Sequence, residues 1–389
     1  MRRDTWVLGH RPALDGLRGI AIVAVLLLHF GPTTFLGGGL GVDLFFVLSG
    51  FLITRKLIEE DREFGGISIR RFCRARVRRL MPAMLAVVAT CATASGAIWT
   101  LLYVANWSRA FGGMRGPLEH TWSLAIEEQF YIVWPIVFLG IRRIGHAAWW
   151  LVAGALGVCL WRVHLAGAAS STMERVVNGT DMRADALLIG AAIAFGIQPL
   201  MRIDWRRIAC VVALPLLVLV CGMREVELIG VGYTMVGAAC AVLVLGALQS
   251  KSGWLDSMVL TWLGRTSYSL YLWHYPILYL ARGGDLYRIE FASTAVAVLA
   301  SFAVAAASAR WVEAPLRLRS VAHAPQRQRH NAKTFDVGWS LDCMRVEEVE
   351  ESIERGRRRR EIAGRRDLDK QSAYHRDAEP NIIPPSLES

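Results

Sequence analysis

An arginine and a histidine stand eleven positions apart in the apolar stretch 14–30, LDGLRGIAIVAVLLLHF. In a helix this spacing is almost three turns, so Arg18 and His29 share one face, roughly 16 Å apart along the axis. The residues between them are Gly, Ala and larger apolar types. A stripe carrying both cannot face hydrocarbon and must face a protein interior or a wet cavity. A guanidinium there binds carboxylate or phosphate oxygens. An imidazole takes a proton from a hydroxyl or carries an acyl group for a time. The structural alternative is an arginine that snorkels and a histidine that makes a core hydrogen bond. Two ionisable groups on one stripe favour chemistry.

Other polar residues lie in apolar surroundings. Asp43 opens the second apolar stretch, close in sequence to the end of the first. It either orients His29 or serves as a helix cap and dipole partner. Glu127 and Glu128 are adjacent in WSLAIEEQFYIVWP, and their directions differ by about 100°, so at most one faces a given cavity fully. Tyr131 follows Glu127 by four residues, on the same face and within hydrogen-bonding reach. Arg183 and Asp185 open another stretch, and His274 shares a polar stripe with Tyr268 and Tyr271. On composition alone these last residues read as packing and hydrogen bonding. Arg76 and Arg79, three apart in a basic run, suit a multiply phosphorylated ligand or lipid headgroups.

The elements that must hold these residues are membrane helices. The chain has 389 residues, is 54% hydrophobic and has a mean hydropathy of +0.35. Apolar stretches near the ~20 residues of a bilayer span recur along it. They are expected at roughly 13–31, 40–58, 82–104, 122–141, 147–167, 183–200, 208–221, 230–248, 259–280 and 291–311. Pro82 is expected to open the third, after a polar loop 59–81. The first stretch lacks a small-residue cleavage pattern after it and reads as a span.

The net charge of +11 does not indicate nucleic acid, because the cations cluster in loops and in the tail. Alternate loops are basic, including Arg2 and Arg3 at the start and Arg317 and Arg319 after the last span, which places both termini in the cytoplasm. The seven cysteines lack metal-site spacing and read as small hydrophobes, and no metal is expected. The fold class is therefore all-α, a polytopic membrane protein of about ten transmembrane helices. Residues 1–319 form the membrane domain, and 320–389 form a polar, mostly disordered cytoplasmic tail with no room for a second catalytic domain.

Six segments, in order, resemble the acyltransferase 3 family of integral membrane acyltransferases. They are RPALDGLRGIAIVAVLLLHF, GGGLGVDLFFVLSGFLI, the basic run ending RRLMPA, HTWSLAIEEQFYIVWP, DMRADALLIG, and LGRTSYSLYLWHYPI with a late VEAP. The resemblance implies a ten-helix bundle that moves an acyl group, commonly acetyl from acetyl-CoA, onto a hydroxyl. It implies surface polysaccharide, lipopolysaccharide, peptidoglycan, glycolipid or secreted-metabolite acceptors. It puts the family's arginine and histidine at Arg18 and His29, its Arg-x-x-Arg element at Arg76 and Arg79, and its glutamate at Glu127, with Glu128 as the spare. The loop 105–121 is shorter than the resemblance leads one to expect, which implies a reduced external sugar-binding surface.

The function expected is O-acyl transfer at the cell membrane. The partners are acyl-CoA, an envelope sugar, glycolipid or metabolite acceptor, and the bilayer. Acyl-CoA is the donor substrate, with its phosphates on Arg76, Arg79 and Arg18. His29, Arg18, Glu127 and Asp43 carry the chemistry, Glu127 or Asp43 orienting the imidazole. Glu128, Tyr131, Arg183, Asp185 and His274 contact substrate. Direct transfer and an acyl-histidine relay both fit. The rival is a transporter using the same buried ions as a proton or substrate path. It predicts no release of free CoA.

Overall fold

Leu, Val, Ala and Ile runs with few turn residues leave the backbone no partner but itself in an apolar medium, and helices result. Every regular element among the described residues is helical. The computed structural model describes residues 6–31, 36–91, 96–167, 173–223, 228–250, 253–285 and 290–315. The expected tail at 320–389, the cations Arg2, Arg3, Arg317 and Arg319, and Cys343 lie outside the described residues.

The helices that build the site are α1 (Pro12–Phe30), α2 (Leu40–Phe64) and α3 (Ile69–Thr90). Two short helices follow, α4 (Ala97–Leu101) and α5 (Ala105–Ala110). The 3₁₀ turn Glu119–Thr121 then leads into α6 (Trp122–Ile141). Next come α7 (Ala147–Ala166), α8 (Met173–Asn178) and α9 (Thr180–Leu200). The short α10 (Trp205–Ile208), a π-helical turn Ala209–Ala213 and α11 (Leu214–Val220) follow in one run. The chain continues through α12 (Gly232–Gln249), α13 (Met258–Ala281) and α14 (Phe291–Ser308), with a final π-helical turn Ala309–Glu313.

Among the described residues, six stretches are long and apolar enough to cross a bilayer: Pro12–Phe30, Glu119–Ile141, Ala147–Ala166, Met173–Leu200, Gly232–Gln249 and Phe291–Glu313. The helix α2 carries Asp43, Arg55 and Lys56, and α13 is rich in hydroxyls and aromatics; both are long but less apolar. The chain is an all-α multi-pass membrane protein.

The expected third span needs correction. Pro82 does not open a helix; it lies inside α3, which begins at Ile69. The stretch 59–81 is not a loop either, since α2 continues to Phe64 and only a short turn separates it from α3. Arg, Lys and Glu are good helix formers, so both helices extend past their apolar parts. Gly65 closes α2 in the left-handed region at φ 71°, and the Ser68 hydroxyl caps α3 by accepting from the Arg71 N–H.

Two close helix pairs organise the interior. α1 runs beside α13, where a Cβ on Gly264 would overlap the Asp15 carbonyl and one on Gly19 the Leu260 carbonyl. α2 runs beside α9, where a Cβ on Gly190 would overlap the Val47 carbonyl. Small residues at such crossings let backbones touch, which is how helices gain packing contacts without a water-driven hydrophobic effect. Arg282, at the end of α13, donates to the His29 and Phe30 carbonyls at 3.3 and 2.7 Å. It thereby satisfies carbonyls that the end of α1 leaves open. The first helix is thus held at both ends against α13.

Candidate active site

At the middle of α1, Arg18 donates to the Ser267 hydroxyl on α13 at 3.2 Å and lies 5.3 Å over the Phe45 ring of α2. Its guanidinium lines a small cleft of about 40 Å³. Glu127 of α6 lines the same cleft, with Ser123, Ser267, Tyr268 and Tyr271. Arg18 thus faces a cleft walled by α1, α2, α6 and α13.

Glu127 is held by hydroxyls. Ser49 of α2 donates to its Oε1 at 3.0 Å and Tyr131 to its Oε2 at 3.2 Å, with Tyr131 and Ser49 themselves 2.8 Å apart. Arg18 and Arg76 are both within electrostatic reach of this carboxylate. Arg76 lies 4.1 Å over the Tyr131 ring. Arg76 and Arg79 are half-buried while Arg70, Arg71, Arg74 and Arg78 are exposed, so the inner face of α3 carries the Arg-x-x-Arg element. Glu128 points away from the cleft, as the ~100° between neighbours on a helix requires. It is buried, within electrostatic reach of Arg76 and Arg79, and its Oε1 has no hydrogen-bond partner.

At the far end of the stripe the partner of His29 is neither Asp43 nor Glu127. It is His274 of α13, whose Nε2 lies 3.1 Å from His29 Nδ1. His274 Nδ1 is 2.9 Å from the Leu270 carbonyl. A carbonyl only accepts, so His274 Nδ1 carries a proton and, in the neutral ring, Nε2 is a lone pair. His29 must then donate from Nδ1, and its own Nε2 is the lone pair left for a substrate. One backbone carbonyl thus sets two tautomers in sequence. The Tyr275 ring meets His29 edge-on at 5.1 Å between centroids.

Asp43 pairs instead with Arg183 at 2.8 Å, and Asp185 with Arg162 at 2.9 Å. The Arg183 guanidinium lies 3.7 Å over the Tyr233 ring. Arg162 is fully buried and also donates to the Gly230 carbonyl, the Met182 carbonyl and the Thr234 hydroxyl. These four ions join α2, α7 and α9, with α12 supplying Thr234 and Tyr233. They lie outside the group lining the cleft. Of the residues singled out from sequence, the structure therefore gathers Arg18, Glu127, Tyr131 and Arg76 around the cleft, and His29 with His274 beyond it. Arg183, Asp185 and Asp43 form a separate network.

Sequence reasoning passed over His120, Tyr271's role and Ser123. His120 sits in the 3₁₀ turn before α6, fully buried against Tyr275, Tyr271 and His274. Tyr271 donates to the His120 carbonyl at 2.6 Å, and Ser123 lies 2.5 Å from the Tyr271 hydroxyl. Tyr271 also lines the cleft, so it links the Arg18 region to the imidazoles. The signal for His120 was its place at the head of HTWSLAIEEQ, two residues before the helix that carries Glu127.

Fold and site together define a helical multi-pass membrane protein with a small cleft that Arg18 of its first helix and Glu127 line. A family model described as an acyltransferase domain matches residues 11–310, and the chain belongs to this family, acyltransferase 3. The peptidoglycan O-acetyltransferase OatA of Listeria monocytogenes is 31% identical over 348 residues, 79% of this chain and 56% of that protein. The O-acetyltransferase OatA of Staphylococcus aureus is 30% identical over 377 residues, 84% of this chain and 61% of that protein. The chain thus spans somewhat over half the length of these relatives. No solved structure matches it.

Proposed function

We propose that the chain is a membrane O-acyltransferase that moves an acyl group, acetyl in the simplest case, from acyl-CoA to a hydroxyl of a cell-envelope sugar, glycolipid or secreted metabolite. The observation that carries this reading is the tautomer set on His29, which leaves Nε2 as a lone pair on the same helix as Arg18, while Arg18 lines the cleft and Arg76 lies over Tyr131 beside it. A fixed tautomer with its outer nitrogen unoccupied is what a general base for a hydroxyl requires. The names of the relatives support an O-acetyl product.

In this reading the donor approaches from the cytoplasmic side, where basic residues of α3 gather, and both termini share that side. Arg76 and Arg79 hold the phosphates, with Arg18 deeper along the stripe. The acceptor hydroxyl gives its proton to His29 Nε2 as its oxygen bonds the thioester carbon. The C–S bond then breaks, and the departing thiolate takes the proton from His29. The His29–His274–Leu270 chain keeps the ring oriented throughout. Glu127, held by Ser49 and Tyr131, supplies negative charge beside Arg18 and keeps that cation in the cleft. In this reading the site works in the cell membrane, with the acceptor meeting His29 from the outer side.

The four buried ions give no support to a transport path, because each carboxylate already has a guanidinium within 3 Å. The test is thiol release and label transfer from radiolabelled acetyl-CoA by purified protein in detergent, with cell-envelope extract as acceptor source. Release by wild type that disappears in His29→Ala supports the reading. Equal release by both, or none from acetyl-CoA and longer acyl-CoA donors, sinks it.

A further inference from the structure

Three imidazoles meet at the far end of α1, and only two of them are accounted for. His29 and His274 share a hydrogen bond, whereas both ring nitrogens of His120 are buried with no hydrogen-bond partner among the described residues. The Tyr271 and Leu272 carbonyls pass near the His120 ring without the geometry of a hydrogen bond. A buried polar group left unpaired costs about 1–3 kcal/mol, and folded proteins keep few of them. The environment could have been filled by Phe at no such cost, since the ring packs as an aromatic. It stacks on Tyr275 at 4.8 Å and 20°, and meets His274 edge-on at 5.4 Å and 78°.

Its position relative to His29 is informative. Both rings lie against Tyr275, His29 at 89° to it and His120 stacked at 20°, and both lie against His274, at 5.0 and 5.4 Å between centroids. His120 is also fixed from behind. Tyr271 accepts from neither ring but donates to the His120 carbonyl, and Thr121, its neighbour, donates to the Leu118 carbonyl at 2.7 Å. The backbone of the turn is therefore pinned while the ring nitrogens are left open. A rigid mount with an unused hydrogen-bonding tip is the arrangement of a preorganised donor.

We infer that His120 is a catalytic residue that donates an N–H to the thioester carbonyl oxygen while His29 takes the acceptor proton. The inference rests on the acyltransferase reading above. As the acceptor oxygen bonds the carbonyl carbon, the carbonyl electron pair moves onto oxygen, and the negative charge that forms there meets the His120 N–H. When the pair returns, the C–S bond breaks and the thiolate leaves with the proton held by His29. His120 gives up no proton in the cycle, and it starts and ends neutral. The neutral imidazole is suited to this, since no protein group in the described structure claims its N–H and a low-dielectric site magnifies its effect on a developing charge.

The test compares wild type with His120→Phe and His120→Gln in full-length protein, using acetyl-CoA as the probe. Thiol release gives kcat and KM, and thermal unfolding in detergent checks the fold. Phe keeps the stacking on Tyr275 and removes the donor, whereas Gln restores an N–H donor that cannot carry a proton. The expected result is a loss in kcat of about a hundredfold or more for Phe, an unchanged KM for acetyl-CoA, and partial recovery in Gln. Wild-type turnover with an equally active His120→Phe overturns this assignment alone. So does a Gln variant that folds and binds like wild type yet is as slow as Phe, because that pattern needs proton transfer rather than donation. A wild type that releases no thiol from any acyl-CoA overturns the acyltransferase reading and this assignment with it.

Discussion

Two polar regions lie buried in this bundle, and they are built on opposite principles. In the network of Arg162, Asp185, Asp43 and Arg183, every carboxylate has a guanidinium partner, and Arg162 uses its remaining donors on two carbonyls and a hydroxyl. Along the first helix, Arg18 faces an open cleft, Glu127 is held by hydroxyls, and both ring nitrogens of His120 have no hydrogen-bond partner among the described residues. Burial alone does not mark a working site, since both regions are buried. The distinction is whether the charges are paired with one another inside the protein. A closed network of ion pairs joins helices, and an open one waits for a ligand.

The comparison can be broken at its strongest point first. Replacing His29 with Ala should lower acyl transfer by about 10²–10⁴-fold, the range for a positioned general base, with the melting temperature held. A thermal scan beside a thiol-release assay reads both, and a loss of fold that tracks the loss of rate would erase the distinction. The reciprocal experiment is Arg162→Ala. It strands Asp185 in the interior and should cost about 3–5 kcal/mol of stability, while KM for the donor stays put. Combining Arg162→Met with Asp185→Asn should restore part of that stability, because the uncompensated charge is gone. If the single variant instead raised KM sharply at normal stability, the closed network would be part of the substrate path.

Smaller effects sharpen the picture within the open region. Each of Arg76→Gln and Arg79→Gln removes one charge-assisted contact, worth about 1.5–3 kcal/mol. This predicts a rise in KM for acyl-CoA of roughly ten- to a hundredfold at nearly constant kcat. Dephospho-CoA thioesters in the wild type should mimic part of that rise, and equal KM values for the two donors would place the phosphates elsewhere. The smallest change is expected at His274. Phe there removes the acceptor for His29 Nδ1 and should slow turnover about tenfold, the worth of one hydrogen bond. Gln, whose amide oxygen can accept from His29, should recover most of it, and a Gln variant no better than Phe would count against the tautomer relay.

Much of this was legible along the chain. The helices α6 and α7 begin at the predicted residues, 122 and 147, because their apolar runs are flanked by clear polar ends. The error at Pro82 has a physical source. Proline weighs heavily as a helix boundary, but a helix already started by Ser68 and six arginines can carry one missing N–H through its interior. The misplacement of Asp43 has another. A short connection between α1 and α2 brings their ends together, yet it leaves undetermined which face of α2 looks at α1, and α9 supplied the stronger partner in Arg183.

What the amino-acid sequence determined by itself was everything carried by local periodicity and solvent. It set the helical class, the common face of Arg18 and His29, the parting of Glu127 from Glu128, and the family motifs in their order. The pairings were decided only in the tertiary structure. His29 and His274 are 245 residues apart, and Ser49 and Glu127 are 78 apart. No helical period reaches across such distances, so the contacts depend on how α1, α2, α6 and α13 rotate about their axes when they pack. That rotation follows from the close glycine crossings, and it turned one lone imidazole at the end of an apolar helix into a cluster of three.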